Sequence, residues 1–119
     1  MSHASLANIA RFVRQAILRS TTAAGSGHPT SSLSAVESMV ELMFGGHFRA
    51  NLKRPHDPDN DRLIFSKGHA APLLYALYAA AGQVGPSELL TLRRRSSRLE
   101  GHPMPSCPYT EVPTGSLGQ

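Results

Sequence analysis

The chain has 119 residues, 40% of them hydrophobic, with a formal net charge of +4 and one cysteine. This length suits one small domain or part of a larger one, and no apolar run approaches the ~20 residues of a membrane span. A single cysteine excludes an internal disulfide, and the N-terminus lacks the apolar block of a secretory signal. We therefore expect a soluble, cytoplasmic protein with no membrane partner.

The basic balance of the chain suggests two classes of partner, nucleic acids and phosphorylated small molecules. Four arginines supply much of the positive charge: Arg93, Arg94, Arg95 and Arg98. No aromatic residues alternate with them and no nucleic-acid motif is present, so we interpret them as a solvated helix face. Nucleic acid is therefore not expected as a partner.

Two amphipathic helices are predicted in the first part of the chain. Apolar residues at helical spacing predict a helix from Leu6, with Ser5 as its N-cap, to the glycine-rich turn at residues 25–27. A second helix is predicted from Ser34, because Ser34 and Glu37 have the spacing of a capping box. This helix is expected to end at the next glycine pair.

One strand, two helices and a long loop are predicted in the rest of the chain. The mostly apolar run at residues 62–66 predicts a short buried strand. Residues 70–82 are strongly helical in composition and predict a helix that ends at Gly82, and Pro72 is tolerated because it falls in the first turn, where its missing N–H costs little. Another helix is predicted to begin at residues 85–87. Residues 99–113 contain four prolines without periodicity, which predicts an extended loop.

Four of the six histidines directly follow a glycine: His28, His47, His69 and His102. Glycine lets a backbone approach a ligand or adopt positive φ, and a neighbouring proline stiffens the corner. An imidazole held on such a corner donates and accepts hydrogen bonds near neutral pH. Several converging corners would suit a polyhydroxylated substrate or a proton relay. We interpret His3, His56 and His47, which follows a predicted helix end, as surface residues.

Two metal sites and one anion site are alternatives for these motifs. A zinc site of His28, His69 and His102 is conceivable, but the spacings match no metal motif. Residues 57–61 resemble the start of a calcium loop but lack its glycine and its bidentate glutamate, so we reject calcium. Residues 114–119 predict a glycine-rich turn that opens a helix, which favours a phosphate or diphosphate ligand.

Four motifs together resemble the N-terminal part of the transketolase family, particularly its animal-type branch. In chain order they are TTAAGSGHPTSS, NDRLIFSKGHAAPLLYAL, ELLTLRRRSSRLEGHPMP and EVPTGSLGQ. The resemblance implies an α/β thiamine diphosphate-binding fold, mostly helical over this stretch with one short parallel strand. It also implies a pentose phosphate pathway enzyme that transfers a two-carbon ketol unit from a ketose phosphate to an aldose phosphate.

The resemblance assigns roles to individual residues. In the family, the residue matching His28 reaches into the substrate channel, and the residue matching His102 bonds donor-sugar hydroxyls near the reacting carbonyl. These two histidines are therefore the candidate catalytic and substrate-binding residues. The candidate cofactor-binding residues are Ser31, His69, Gly115, Ser116 and Leu117.

The departures from the family pattern concern the metal ligands, the glutamate that activates the cofactor and one loop. The family's Gly-Asp-Gly motif, which with a later Asn holds Mg²⁺ and the diphosphate, has no counterpart in residues 1–119. The later domain, whose glutamate activates the cofactor, is also absent, and the loop at residues 47–61 follows the family only loosely. The resemblance therefore implies a partial N-terminal domain, truncated before the Mg²⁺ motif, of an enzyme whose active site forms between two subunits of a homodimer. We expect this chain alone to be inactive.

Three other functions stay open. The chain could be a truncated non-catalytic remnant that binds or modulates full-length transketolase subunits. It could instead be the N-terminal piece of a split enzyme, or a module that binds sugar phosphates without any chemistry. Co-purification with an intact transketolase would support the first of these, and a strictly monomeric, non-binding chain would count against it.

Overall fold

The computed structural model describes residues 2–115, and in this range it contains five α-helices, one 3₁₀ turn and no extended strand. The elements are α1 (His3–Ala24), α2 (Pro29–Leu33), α3 (Val36–Phe44), the 3₁₀ turn (Gly68–Ala70), α4 (Ala71–Ala80) and α5 (Pro86–Leu89). No described helix is both long and apolar enough to cross a membrane. The mostly helical content predicted from the sequence is confirmed.

Helix α4 forms the centre of the structure, because the other four helices all contact it. Every residue from 71 to 78 is buried, which suits a helix that is apolar on all of its faces. Pro72 lies in the first turn as predicted. Beyond the last turn, Gly82 adopts the left-handed conformation (φ +77°), and its amide donates to the Ala79 carbonyl at 3.0 Å.

Helix α1 packs against α4 through a stripe at helical spacing. The buried residues of this stripe are Ala10, Val13, Ala16, Ile17, Ser20 and Thr21. The predicted cap at Ser5 is wrong, because the Ser2 hydroxyl oxygen accepts a hydrogen bond from the Ser5 amide at 3.3 Å and starts the helix one turn earlier. Gly25 ends the helix as predicted, with φ +65° and its amide donating to the Thr22 carbonyl at 3.2 Å.

The single helix predicted from Ser34 is wrong, because two helices, α2 and α3, occupy this region. The Ser34 hydroxyl donates to the Ser31 carbonyl at 2.8 Å, so it closes the end of α2 and does not cap α3. Glu37 forms an ion pair with Arg14 of α1 and makes no capping bond. Tertiary contacts therefore override the local capping pattern.

The strand predicted at residues 62–66 does not form in the described part of the chain. A strand needs a neighbouring strand with which to form a ladder of hydrogen bonds. The described residues supply only a single parallel bridge, between Lys67 and Gly115. At this bridge the Gly68 amide donates to the Gly115 carbonyl at 3.2 Å. Ile64 is 64% exposed, so the run is not buried. The bridge nevertheless fixes the position of the segment that carries His69.

The loop at residues 99–113 is irregular, as predicted, and it is held on the helical core by two tyrosine contacts. The Tyr75 hydroxyl of α4 donates to the Glu100 carbonyl at 2.7 Å. Tyr109 stacks on Tyr78 of α4, with ring centroids 4.5 Å apart. These contacts place the beginning of the loop, including His102, beside the N-terminal end of α4.

Candidate functional site

His28 lies on a tight corner between α1 and α2. Its backbone has φ +50° and ψ +61°, in the left-handed region that side chains other than glycine rarely adopt. Gly27 before it has φ +128°, and a Cβ there would lie 2.9 Å from Cγ2 of Thr21. Pro29 then begins α2. The stiff corner predicted from the sequence is therefore confirmed, and both the glycine and the proline are needed for it.

His69 lies on the 3₁₀ turn that leads into α4, directly after the buried Gly68. A Cβ on Gly68 would overlap the His102 ring and the Gly115 carbonyl oxygen. Only glycine therefore lets three separate segments meet here: the turn of His69, the loop of His102 and the backbone at Gly115. The space that a Cβ would need at Gly68 is therefore already filled by the His102 ring and by the backbone at Gly115.

The imidazole rings of the three predicted histidines lie together. The ring centroids of His28 and His69 are 4.9 Å apart, and the two planes meet at 61°. The centroids of His69 and His102 are 6.1 Å apart, at 57°. Segments 41 and 33 residues apart in the sequence thus form one imidazole cluster, with His69 in its middle. We call these three side chains the histidine cluster.

Two properties of the histidine cluster bear on its chemistry. Burial lowers the pKa of His69 below its ordinary value of 6.5, and the nearby His28, Lys67 and His102 lower it further. His69 is therefore largely neutral at pH 7, with one nitrogen that donates and one that accepts. The Nε2 atom of His102 is buried and has no hydrogen-bond partner in the described part of the chain. Such a nitrogen fits a polar ligand that completes its hydrogen bond.

Those candidate cofactor-binding residues that the structure describes lie near the histidine cluster. Ser31 is partly buried in α2, one helical turn after His28. Gly115 adjoins Gly68 through the backbone bridge. Ser116 and Leu117 lie outside the described residues.

The remaining histidines lie apart from the histidine cluster. His3 and His56 are exposed, and Nε2 of His47 lies 3.5 Å from a carboxylate oxygen of Glu41 on α3. Within residues 2–115, no group of three or more histidine, cysteine, aspartate or glutamate side chains is arranged to hold a metal ion.

Arg93 borders the site, although the sequence predicts a solvated helix face for it. It lines an open cleft of about 580 Å³ together with His28 and Thr30. No sequence signal marks this residue. Its backbone has φ +64°, a left-handed conformation that is uncommon for arginine and that the sequence pattern does not predict.

The architecture matches a known enzyme fold. The chain superposes on a crystal structure of transketolase from Campylobacter jejuni with a TM-score of 0.87 and 31% sequence identity. The match covers 97% of this chain and 18% of that one. The fold is therefore the N-terminal part of an α/β thiamine diphosphate-binding fold, and residues 2–115 contribute five α-helices to it.

The sequence comparisons identify the family. Residues 3–119 match the family described as "Transketolase, thiamine diphosphate binding domain", and the chain belongs to this family. It is 51% identical over 115 residues to human transketolase and 48% identical over 114 residues to transketolase-like protein 2 of cattle. The chain spans 18% of the length of each of these relatives. The family assignment made from the four motifs is confirmed.

Proposed function

We propose that this chain binds thiamine diphosphate through Ser31, His69 and Gly115. The observation that carries the proposal is the histidine cluster, in which imidazoles from three separate segments lie within 6.1 Å of a neighbouring ring. The buried Nε2 atom of His102, which has no hydrogen-bond partner in the described part of the chain, supports a polar ligand at this place. Ser116 and Leu117 stay predicted cofactor contacts.

We propose further that the whole protein transfers a two-carbon ketol unit from a ketose phosphate to an aldose phosphate. When bound, thiamine diphosphate supplies the nucleophilic carbon that takes up this unit. The chain's own contribution is orientation and hydrogen bonding. His28 and His102 are suited to bind sugar hydroxyls, and a largely neutral His69 between them donates or accepts a hydrogen bond without adding a charge near the cofactor.

The other properties of the whole protein are proposals of the same kind. We propose that Mg²⁺ binds with the cofactor through residues outside this chain, and that the active site forms between two subunits of a homodimer. Residues 1–119 would then be part of one thiamine diphosphate-binding domain. The single cysteine supports the predicted cytoplasmic location.

Calorimetric titration of the 119-residue chain with thiamine diphosphate tests the cofactor proposal, with thiamine as the reference ligand. We expect saturable binding of the diphosphate that weakens about tenfold or more in His69→Asn, because charge-assisted hydrogen bonds to phosphate oxygens are strong. His56→Asn is the matched control, since His56 is exposed and lies apart from the cluster. Absence of saturable binding, or an equal loss in the control, would contradict the proposal.

An activity assay tests the proposal that the chain is only part of a catalytic domain. The chain would be incubated with xylulose 5-phosphate, ribose 5-phosphate, thiamine diphosphate and Mg²⁺. We expect no turnover, because the activating glutamate and the metal ligands implied by the family resemblance are not among residues 1–119. Turnover without an added partner chain would overturn this part of the proposal.

Binding to full-length transketolase subunits is the second candidate function. It is favoured by large apolar side chains on the surface, including Phe12 and Leu18 of α1, which are 41% and 48% exposed. Co-purification of the chain with an intact transketolase would support this function. A chain that stays monomeric in the presence of that protein would count against it.

A further inference from the structure

Buried apolar side chains anchor both ends of the segment that carries His102, residues 99–103, which we call the His102 segment. Leu99 and Pro103 are both almost completely buried, whereas Glu100 between them is exposed. Apolar contacts are non-directional, so they fix where the two ends lie and leave the peptides between them free to rotate. The direction of the His102 side chain therefore depends on hydrogen bonds to this segment.

Backbone amides supply hydrogen bonds at the two ends of the His102 segment. The Arg93 amide donates to the Leu99 carbonyl at 2.9 Å. The amide and the hydroxyl of Thr114 each donate to the Pro103 carbonyl at 3.2 Å. Because an amide remains when a side chain is changed, both ends stay bonded whatever residues stand at positions 93 and 114, proline excepted.

A single side-chain atom, the Tyr75 hydroxyl, bonds the middle of the His102 segment. It donates to the Glu100 carbonyl at 2.7 Å, two residues before His102. Tyr75 is 1% exposed on the central helix α4. A hydroxyl costs free energy in an apolar core unless it is hydrogen-bonded, and the ring of a phenylalanine would fill the same space. The contribution of this hydroxyl therefore lies at the Glu100 carbonyl.

The direction of the His102 ring decides what its Nε2 atom can reach. The ring lies against Gly68, where a Cβ would overlap it, and its centroid is 6.1 Å from that of His69. The Nε2 atom is buried and has no partner among the described residues. Since no bond at Nε2 restrains the ring, its direction depends on the backbone that carries it.

We propose that Tyr75 is a positioning residue of the candidate site, whose hydroxyl holds the Glu100 peptide and thereby directs Nε2 of His102 toward the bound ligand. The inference rests on the proposed function for the identity of that ligand, thiamine diphosphate with its sugar adduct partner. The direction of His102 in the free chain is independent of that identity. Tyr75 itself touches neither ligand in this account, and it acts only through the His102 segment.

The test compares two variants of the 119-residue chain that lose the same atom from the same helix. Tyr75→Phe removes the hydroxyl and keeps the ring in the core. Tyr78→Phe is the matched control, because Tyr78 is also buried on α4, at 4% exposure, and stacks its ring on Tyr109. Histidine ring NMR signals are recorded for the free chains and during titration with thiamine diphosphate, and thermal melting shows that each variant is folded.

We expect the His102 signal of the free chain to be displaced or broadened in Tyr75→Phe, while the signals of His28, His3 and His56 stay in place. During the titration, His102 should lose most of its ligand-induced shift, and His28 should keep its own. Tyr78→Phe should leave all of these signals as they are in the unaltered chain. A merely structural role of the hydroxyl would lower the melting temperature and leave the His102 signal of the folded chain unmoved.

Two results with the variants would overturn the inference: an unmoved His102 signal in folded Tyr75→Phe, and an equal displacement in Tyr78→Phe. A measurement on the unaltered chain needs no variant to fold. The Tyr75 hydroxyl proton should be protected from exchange with water by its bond to the Glu100 carbonyl. A hydroxyl proton that exchanges freely would also overturn the inference.

This inference and the cofactor proposal fail in distinguishable ways. If thiamine diphosphate does not bind but the free His102 signal moves in Tyr75→Phe alone, the cofactor proposal fails and the positioning role stands. If thiamine diphosphate binds with its dependence on His69 and His102 is insensitive to Tyr75→Phe, only the positioning role fails.

Discussion

The packed helices α1 and α4 and the corners that carry the histidine cluster differ in what fixes their conformation. In the helices, apolar side chains at regular spacing face one another, and α4 is buried along nearly its whole length. At the corners the backbone of His28 has positive φ, and Gly68 is required by two segments far away in the sequence. The helices are thus specified locally, and the corners depend on the surrounding fold.

The comparison shows how a small structure supports strained corners. A residue such as His28 in the left-handed region costs of order 1–3 kcal/mol, and it persists only where the surroundings impose it. Here the surroundings are the end of α1, the start of α2 and the first turn of α4, whose Pro72 lies within van der Waals distance of a Cβ placed on Gly27. The core therefore provides the rigidity that keeps the imidazoles together.

The largest effect is expected from a cavity in the packed helices. Leu73 of α4 is fully buried, and Leu73→Ala should lower the free energy of unfolding by about 2–5 kcal/mol. Denaturant unfolding followed by circular dichroism measures this change. Leu18→Ala is the control, because Leu18 is 48% exposed and should cost far less. Equal losses in the two variants would contradict the burial of α4.

A smaller loss of stability is expected when a methyl group is added at a corner. Gly68→Ala should destabilise the chain by about 1–3 kcal/mol, because the new Cβ meets backbone and ring atoms that cannot move freely. It should also displace the His102 ring, which histidine NMR signals would report. The matched control is Gly85→Ala, where φ is −74° and a Cβ would meet nothing within 4 Å. If both variants behave alike, the close approach at Gly68 is wrong.

A modest, pH-dependent effect is expected at the ion pair between Glu88 and Arg98. The hydrogen bond from Arg98 holds the pKa of Glu88 below its ordinary value of 4.5. The stability it contributes is therefore present above pH 4.5 and is lost as the pH falls through the lowered pKa. Glu88→Gln should remove about 0.5–1 kcal/mol at pH 7 and flatten this acid dependence. Unfolding measured between pH 3 and 7 tests this, and Asp59→Asn should leave the profile unchanged.

The smallest effect is expected in the titration of His69. Its pKa should lie below 6.5 by NMR, because burial and the neighbouring His28 and Lys67 disfavour the charged ring. His28→Ala should raise the pKa of His69 more than Lys67→Gln does, since His28 is the stronger electrostatic influence. A pKa of His69 at or above 6.5, or unaffected by His28→Ala, would contradict the arrangement of the cluster.

Much of the fold and of the candidate site could be predicted from the sequence, and the wrong predictions have physical causes. Helix α1, helix α4 and the Gly-His corners follow from periodicity and from backbone chemistry, which are local. The cap at Ser5, the helix start at Ser34 and the strand at residues 62–66 were wrong, because each depends on which distant partner is available. The meeting of His28, His69 and His102 was expected from the family resemblance. Arg93 could not be found, since only the folded backbone brings it to the cleft.

The central claim is that the three histidines that follow glycines form one site, in which His69 contacts thiamine diphosphate and His28 and His102 lie beside the bound cofactor. It is tested most directly by histidine ring NMR signals during a titration of the chain with thiamine diphosphate. We predict that the signals of His28, His69 and His102 shift together and saturate at one ligand per chain, while those of His3, His47 and His56 stay fixed. Uniform shifts of all six histidines, or no shift in the histidine cluster, would contradict the claim.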